Sequence, residues 1–403
     1  MTRALSFSLL VFTASNTGAQ GFFDLVDQKL TWSVFNDQVR ARVSGTLDLE
    51  YYHFDQPPPG LIDAQGHNLF NPRLTLFLDA QLGPHVYVFT QARVDRGFDP
   101  AAEPAEARAD EYAVRYTPWK DGRLNLQVGK FATIVGNWTA RHLSWDNPFI
   151  TAPLPYEHVT AICDMEAPSS PADFATAGRN ATYENNPIIW GPSYATGASA
   201  SSAIGKFDVA AEIKNAPISS RPRSWDATDV GFEHPTVSAR VGFRPNQMWN
   251  IGASVSEGAY FREEAKPTLP ANRGIGDFLQ RTVAQEVSFA WHHWQWWAEA
   301  FESRFEVPTV GDADVFGYYV EAKYKFATQF FGAARWNQQM FSDIPDGFGG
   351  RTHWGRDSWR TDLAAGYRPT AHTQLKLQYS FERDSFSAHD FTHLVAAQFT
   401  VRF

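Results

Sequence analysis

Residues 39–52, VRARVSGTLDLEYY, decide the fold. Val39, Ala41, Val43, Gly45, Leu47, Leu49 and Tyr51 share one parity. Arg40, Arg42, Ser44, Thr46, Asp48, Glu50 and Tyr52 share the other. Successive side chains of a strand point to opposite faces, so an extended chain here has one oily face and one charged face. A helix would scatter both sets around its axis.

The same period of two returns along the chain. Leu74, Leu76, Leu78, Ala80 and Leu82 oppose Arg73, Thr75, Phe77, Asp79 and Gln81. Leu375, Leu377, Tyr379 and Phe381 oppose Lys376, Gln378, Ser380 and Glu382. The final stretch sets Val395, Ala397, Phe399, Val401 and Phe403 against Ala396, Gln398, Thr400 and Arg402. A soluble β-sandwich alternates too, but three features favour a membrane barrel. The runs exceed the roughly 5–6 residues usual in globular strands and suit a tilted bilayer crossing. Aromatic residues gather at run ends, as in Trp119, Trp249, Trp294-Gln295-Trp296-Trp297 and Tyr367, where an interfacial girdle sits. Connections alternate between short and long.

The short connections are Gly83-Pro84, Pro118–Gly122, Ser201–Gly205, Pro245–Gln247, His292-His293, Ala327-Thr328 and Pro369–His372. Long ones fall near 55–68, 97–109, 133–190, 214–234, 262–278, 307–312, 341–356 and 385–390. Seven turns and eight loops join about sixteen antiparallel strands into an all-β, up-and-down transmembrane barrel spanning residues 39–403. Short turns then face the periplasm and long loops face outward. Two stretches blur the pattern and leave fourteen or eighteen strands open: Trp190–Ala200 has little contrast between faces, and residues 294–305 place Glu299 on one parity and Glu302 with Arg304 on the other. Closure follows from physics, because no water satisfies an open strand edge in hydrocarbon. About sixteen strands enclose more space than side chains fill.

Composition agrees. The mean hydropathy is −0.36 and no apolar run after the N-terminus reaches the length of a membrane helix, so a helical membrane protein is excluded. Residues 1–19 read as an export signal: Arg3, the apolar run Ala4–Ala14, then the small residues Thr17-Gly18-Ala19. Residues 20–38 follow as a short periplasmic segment, too short for a plug. The single cysteine, Cys163, rules out an internal disulfide framework. A net charge of −9 argues against a nucleic-acid partner. His292-His293 sits in a turn with no acidic neighbour, so no metal site and no cofactor is expected.

Three stretches together resemble the bacterial sixteen-stranded outer-membrane porins: the export signal, the terminal Phe399-Thr400-Val401-Arg402-Phe403, and the long third loop. Leu126-Gln127-Val128-Gly129-Lys130-Phe131 before that loop is similar to the phosphate-selective porin family. The resemblance implies an anion or phosphate bias. It also implies that Phe399, Val401 and Phe403 form the signal read by barrel-assembly machinery, that the third loop narrows the pore, and that the protein is a homotrimer in outer-membrane lipid.

Loop 133–190 carries Arg141, His142, Asp146, Glu157 and Asp164 among prolines and aromatics, a composition unlike a loose surface loop. It is read as a constriction folded into the lumen, with an external lid or trimer contact as the alternative. Arg40, Arg42, Arg73, Arg93, Arg115 and Arg123 are expected to line the pore from the first five strands. Facing the acids of the loop they would set up a transverse field; alternatively they pair with carboxylates on their own wall. Passive diffusion of small hydrophilic solutes or ions is the function this pattern suggests. Two other functions compete. A barrel enzyme would need a nucleophile beside one of His53, His67, His353 or His389. A scaffold barrel around a partner protein would have an occupied lumen.

Overall fold

Arginine and lysine are among the largest side chains shut inside this protein, while leucine, valine and tryptophan cover its outside. Arg335, Lys214 and Lys376 are fully buried, whereas Val128, Leu377 and Val395 are 63%, 55% and 49% exposed. A protein surrounded by water does the opposite. The arrangement is stable when the outer solvent is oil. The computed structural model describes residues 16–56, 60–62, 64, 66–96, 105–119, 122–182, 184–222, 231–386 and 391–403.

Sixteen strands build the wall: β1 (Val39–Phe54), β2 (Asn68–Leu82), β3 (Val86–Asp95), β4 (Glu106–Tyr116), β5 (Asn125–Phe131), β6 (Ala195–Ile204), β7 (Phe207–Lys214), β8 (Thr236–Phe243), β9 (Trp249–Ala259), β10 (Leu279–Trp291), β11 (Trp294–Val307), β12 (Gly311–Lys325), β13 (Phe330–Phe341), β14 (Ser358–Tyr367), β15 (Thr373–Asp384) and β16 (Thr392–Arg402). Each pairs antiparallel with its sequence neighbours. β16 returns to β1 in the register Leu394↔Phe54 through Arg402↔Thr46, which closes the barrel. Every strand therefore has two partners, and no edge meets lipid. At the seam Gly45 and Phe403 exchange two backbone hydrogen bonds of 3.0 Å. A Cβ on Gly45 would lie 2.6 Å from the Phe403 ring, so only glycine admits that ring.

Parity places Leu47, Leu49 and Tyr51 outward and buries Asp48 and Glu50 in the interior. In β11 the parity resolves as well. Glu299 points inward, while Glu302 and Arg304 point outward at the external end, where Arg304 meets Asp314 at 2.6 Å. A bulge in β4, at the shift between Gln91 and Ala92 of β3, leaves Asp110 without an opposing residue. Cross-strand aromatic pairs belt the short-turn end: Trp249–Phe289 at 4.5 Å, Trp294–Tyr324 at 4.6 Å and Phe330–Tyr367 at 4.4 Å.

Two expectations change. The connection at 307–312, read as long, is a three-residue turn, because β11 and β12 run on to Val307 and from Gly311; Thr309 takes a left-handed φ of 65°. The turn read at Ser201–Gly205 tightens to Gly205-Lys206, since β6 continues to Ile204. The segment before β1 is ordered: a helix Asn16–Lys29 leads into Thr31–Val34, which pairs with Val39–Arg42. The export signal lies outside the described residues up to residue 15. Among the described residues no helix is long and apolar enough to cross a membrane; the strands make the crossing.

Leu377→Arg, which sets a charge on the outward face midway along β15, should cost about 2–4 kcal/mol. Urea unfolding in lipid vesicles measures it, and an unchanged midpoint would place that face away from lipid.

Candidate functional site in the barrel lumen

The 63 residues between Phe131 and Ala195, the loop joining β5 to β6, do not stay outside the barrel. They follow the interior of the far wall, from β7 round to β15. A non-helical backbone at that depth must find partners for each N–H and C=O. Wall side chains provide them. Glu212 accepts from Thr133 Oγ1 at 2.7 Å and from the Ile134 N–H. Glu299 accepts the N–H groups of Asn137 and Trp138, and Tyr156 donates to its other oxygen at 2.7 Å. Gln378 Oε1 accepts from the Ile150 and Thr151 N–H groups at 2.6 and 3.2 Å.

Cations of the wall serve the carbonyls. Lys376 Nζ donates to the carbonyl oxygens of Ser144, Asn147 and Phe149 at 2.8, 3.0 and 3.0 Å. Arg335 donates to the carbonyls of Thr151 and Ala152 while holding Asp362 at 2.8 Å. Trp145 lies under two guanidinium groups, Arg402 at 4.0 Å and Arg368 at 4.6 Å from its ring centre. Nearer the outside, the helix Pro171–Arg179 packs Phe174 on Trp354 at 5.3 Å. Gly178 passes so close that a Cβ would sit 1.9 Å from the Trp354 carbonyl oxygen.

Against the near wall, β1 to β4, the loop makes fewer bonds, among them Ala132 N–H to Glu111 and Gln91 to the Tyr194 hydroxyl. A cavity of about 200 Å³ remains there, bounded by Asp48, Glu50, Arg73, Arg93, Asp95 and Arg108 on the wall. Trp138, His142, Ser144, Tyr156, Trp190 and Tyr194 bound it on the loop side. The wall charges compensate one another. Arg73 bridges Asp48 at 3.3 Å and also meets Glu50, Arg93 meets Asp110 at 3.1 Å, and Arg108 holds Asp110 at 2.8 Å and Asp95.

The residues singled out in the sequence separate into groups. Arg73 and Arg93 stand on the wall of this slot. Arg115 lies lower, bonded to Gln127 at 3.0 Å. Arg40 and Arg42 sit at the short-turn mouth, paired with Asp37 at 3.2 Å and with Asp27 of the N-terminal helix at 2.9 Å. Arg123 is exposed in the turn before β5, off the wall, because that strand begins only at Asn125. In the loop, Arg141 bonds Glu321 at 2.7 Å beneath Trp297, and His142 Nε2 lies 2.7 Å from the Tyr194 hydroxyl. Glu157 pairs with Arg360 and Asp164 with Arg262 at 2.7 Å. Asp146 is exposed. Of the acids expected to oppose the near-wall arginines, Glu157 and Asp164 are therefore tied elsewhere, since a buried carboxylate needs its own cation. Phe399 points outward and Phe403 closes the seam; Val401, between them, is half-buried and pairs with Leu47 of β1 and Thr373 of β15.

Sequence reasoning missed Arg108, which it assigned to a loop, Asp110 just beyond that loop, and the far-wall anchors Glu321, Arg335, Arg360 and Lys376. Their signal was inward parity in the later strands. Of the histidines weighed for an enzyme, His53 contacts Asn68, His67 the Phe54 carbonyl and His353 the Phe341 carbonyl; His389 lies outside the described residues. His293 Nδ1 lies 2.9 Å from the Lys325 carbonyl. Burial pushes the Cys163 thiol up, which keeps it protonated and unreactive.

A closed sixteen-stranded antiparallel barrel with an oily exterior is a transmembrane β-barrel. No protein-family model and no curated protein matches the sequence, so the likeness of Leu126–Phe131 to phosphate-selective porins remains a resemblance. Solved structures do match. OmpF of Salmonella typhi, solved with daunomycin, aligns at TM-score 0.58 and 11% identity over 92% of this chain and 100% of that one. A trimer form of OmpT, an outer membrane protein of Vibrio cholerae, aligns at 0.56 and 9% over 91% and 100%. An anion-selective porin from Comamonas acidovorans aligns at 0.53 and 9% over 91% and 100%. At such identities the likeness is one of fold.

One outcome tests the seating of the loop. Lys376→Met should loosen it by about 1.5–3 kcal/mol, the worth of hydrogen bonds to a charged group, seen as faster proteolysis between residues 143 and 150.

Proposed function

We propose that this protein is a bacterial outer-membrane porin, a water-filled channel through which small hydrophilic solutes or ions diffuse passively. The observation that carries the reading is the third loop seated on the far half of the interior while a polar cavity of about 200 Å³ stays between it and β1 to β4. A barrel of this size is wider than its own side chains fill. An internal loop narrows such a lumen without removing it, and pore width and lining charge then set what passes. On this reading residues 1–19 direct export, the outward face of the barrel meets outer-membrane lipid, and the terminal aromatic pattern serves assembly. A homotrimer fits the reading, one protein of similar fold being known in a trimer form.

The ion pairing along the slot argues against the anion or phosphate bias that the resemblance implied. Arg73, Arg93 and Arg108 each meet a carboxylate of their own wall, so among the described residues the narrow part offers no row of uncompensated cations.

Purified, heat-modifiable protein added to a planar bilayer in potassium chloride should give stable, ohmic current steps with a reversal potential near zero in a salt gradient. A folded barrel that stays silent would remove the channel.

A further inference from the structure

The slot beside β1 to β4 holds polar groups that the barrel does not use for its own cohesion. Asn71 donates its amide to Glu50 at 3.2 Å, and Gln398 donates to the same carboxylate at 2.6 Å. The carbonyl oxygens of both amides make no hydrogen bond within the protein, and neither do Trp138 Nε1 and Ser144 Oγ across the gap. All four residues border the one cavity. Buried polar atoms are nearly always paired, so four around one space need a reason.

The geometry points to a binding site in this slot for a neutral, hydroxyl-bearing ring solute, a small sugar. This deepens the channel reading and rests on it. The unmet groups are of both kinds: Asn71 and Gln398 present acceptors, Trp138 a donor, and Ser144 either. An anion satisfies donors alone and a cation acceptors alone, whereas a hydroxyl does both. The surrounding charge does not favour an anion, because Arg73, Arg93 and Arg108 each already meet a carboxylate of the wall. The opposite side adds the rings of Trp138, Tyr156, Trp190 and Tyr194. Aromatic walls with a few placed polar groups are the usual make-up of a small-molecule site. The space, about 200 Å³, suits one small ring rather than a long chain.

Calorimetric titration of the detergent-solubilised, heat-modifiable barrel tests the proposal, with D-glucose, potassium phosphate and putrescine as probes. Glucose should bind saturably, and neither ion should displace it. Asn71→Leu on the wall and Trp138→Phe on the loop, which keeps a ring but removes the N–H, should each weaken binding roughly fivefold, the loss of one hydrogen bond. Absence of saturable glucose binding, displacement by phosphate, or equal affinity in both folded variants would overturn it. Conductance separates the two readings. Ohmic steps without glucose binding defeat the sugar site and leave the porin standing; silent membranes defeat the porin, and calorimetry still judges the slot.

Discussion

A long irregular segment can lie inside a membrane barrel only if its peptide groups are hydrogen-bonded there, and in this protein the wall does that work. Glu212, Glu299 and Gln378 receive its N–H groups, while Lys376, Arg335 and Arg360 supply its carbonyls. These side chains stand in for water. The far wall is therefore rich in buried charge without behaving as a selectivity element. Its charges are committed to holding the loop, and a buried charge that lost its partner would be costly.

That commitment shapes what is left. With the loop bound to β7 through β15, the remaining space falls against β1 to β4. The near wall is zwitterionic, with four carboxylates, Asp48, Glu50, Asp95 and Asp110, set around three guanidinium groups, Arg73, Arg93 and Arg108, so the acids are in excess by one. The bulge in β4 makes this possible. It turns Asp110 inward beside Glu111, so two acids share a stretch where strict alternation would allow one. The slot consequently offers paired charge with a small acidic excess on one side and aromatic surface on the other.

The barrel was legible in the sequence because period two is a property of each strand by itself. Strand number, closure and the sidedness of most connections followed from it. What sequence missed depends on pairing. A bulge cannot be seen until two strands are in register, so Arg108 was left in a loop and the inward turn of Asp110 was not foreseen. The turn at Pro308–Val310 was read as long because Val307, Gly311 and Asp312, which end and open the two paired strands, were counted with it; above the lipid an outward strand position such as Asp312 is free to be charged. Glu157 and Asp164 were expected opposite the near-wall arginines, but parity within a loop carries no direction, and their partners, Arg360 and Arg262, are distant in sequence.

Where Gly45 admits the Phe403 ring, the first and last strands meet across nearly the whole length of the chain. Contacts of such separation form late, because the intervening chain must first be brought to order. Until then both β1 and β16 are open templates able to recruit foreign strands. The side chain missing at residue 45 thus bears on timing as much as on shape: it removes a steric obstacle from the one junction whose delay would leave the whole sheet prone to aggregation.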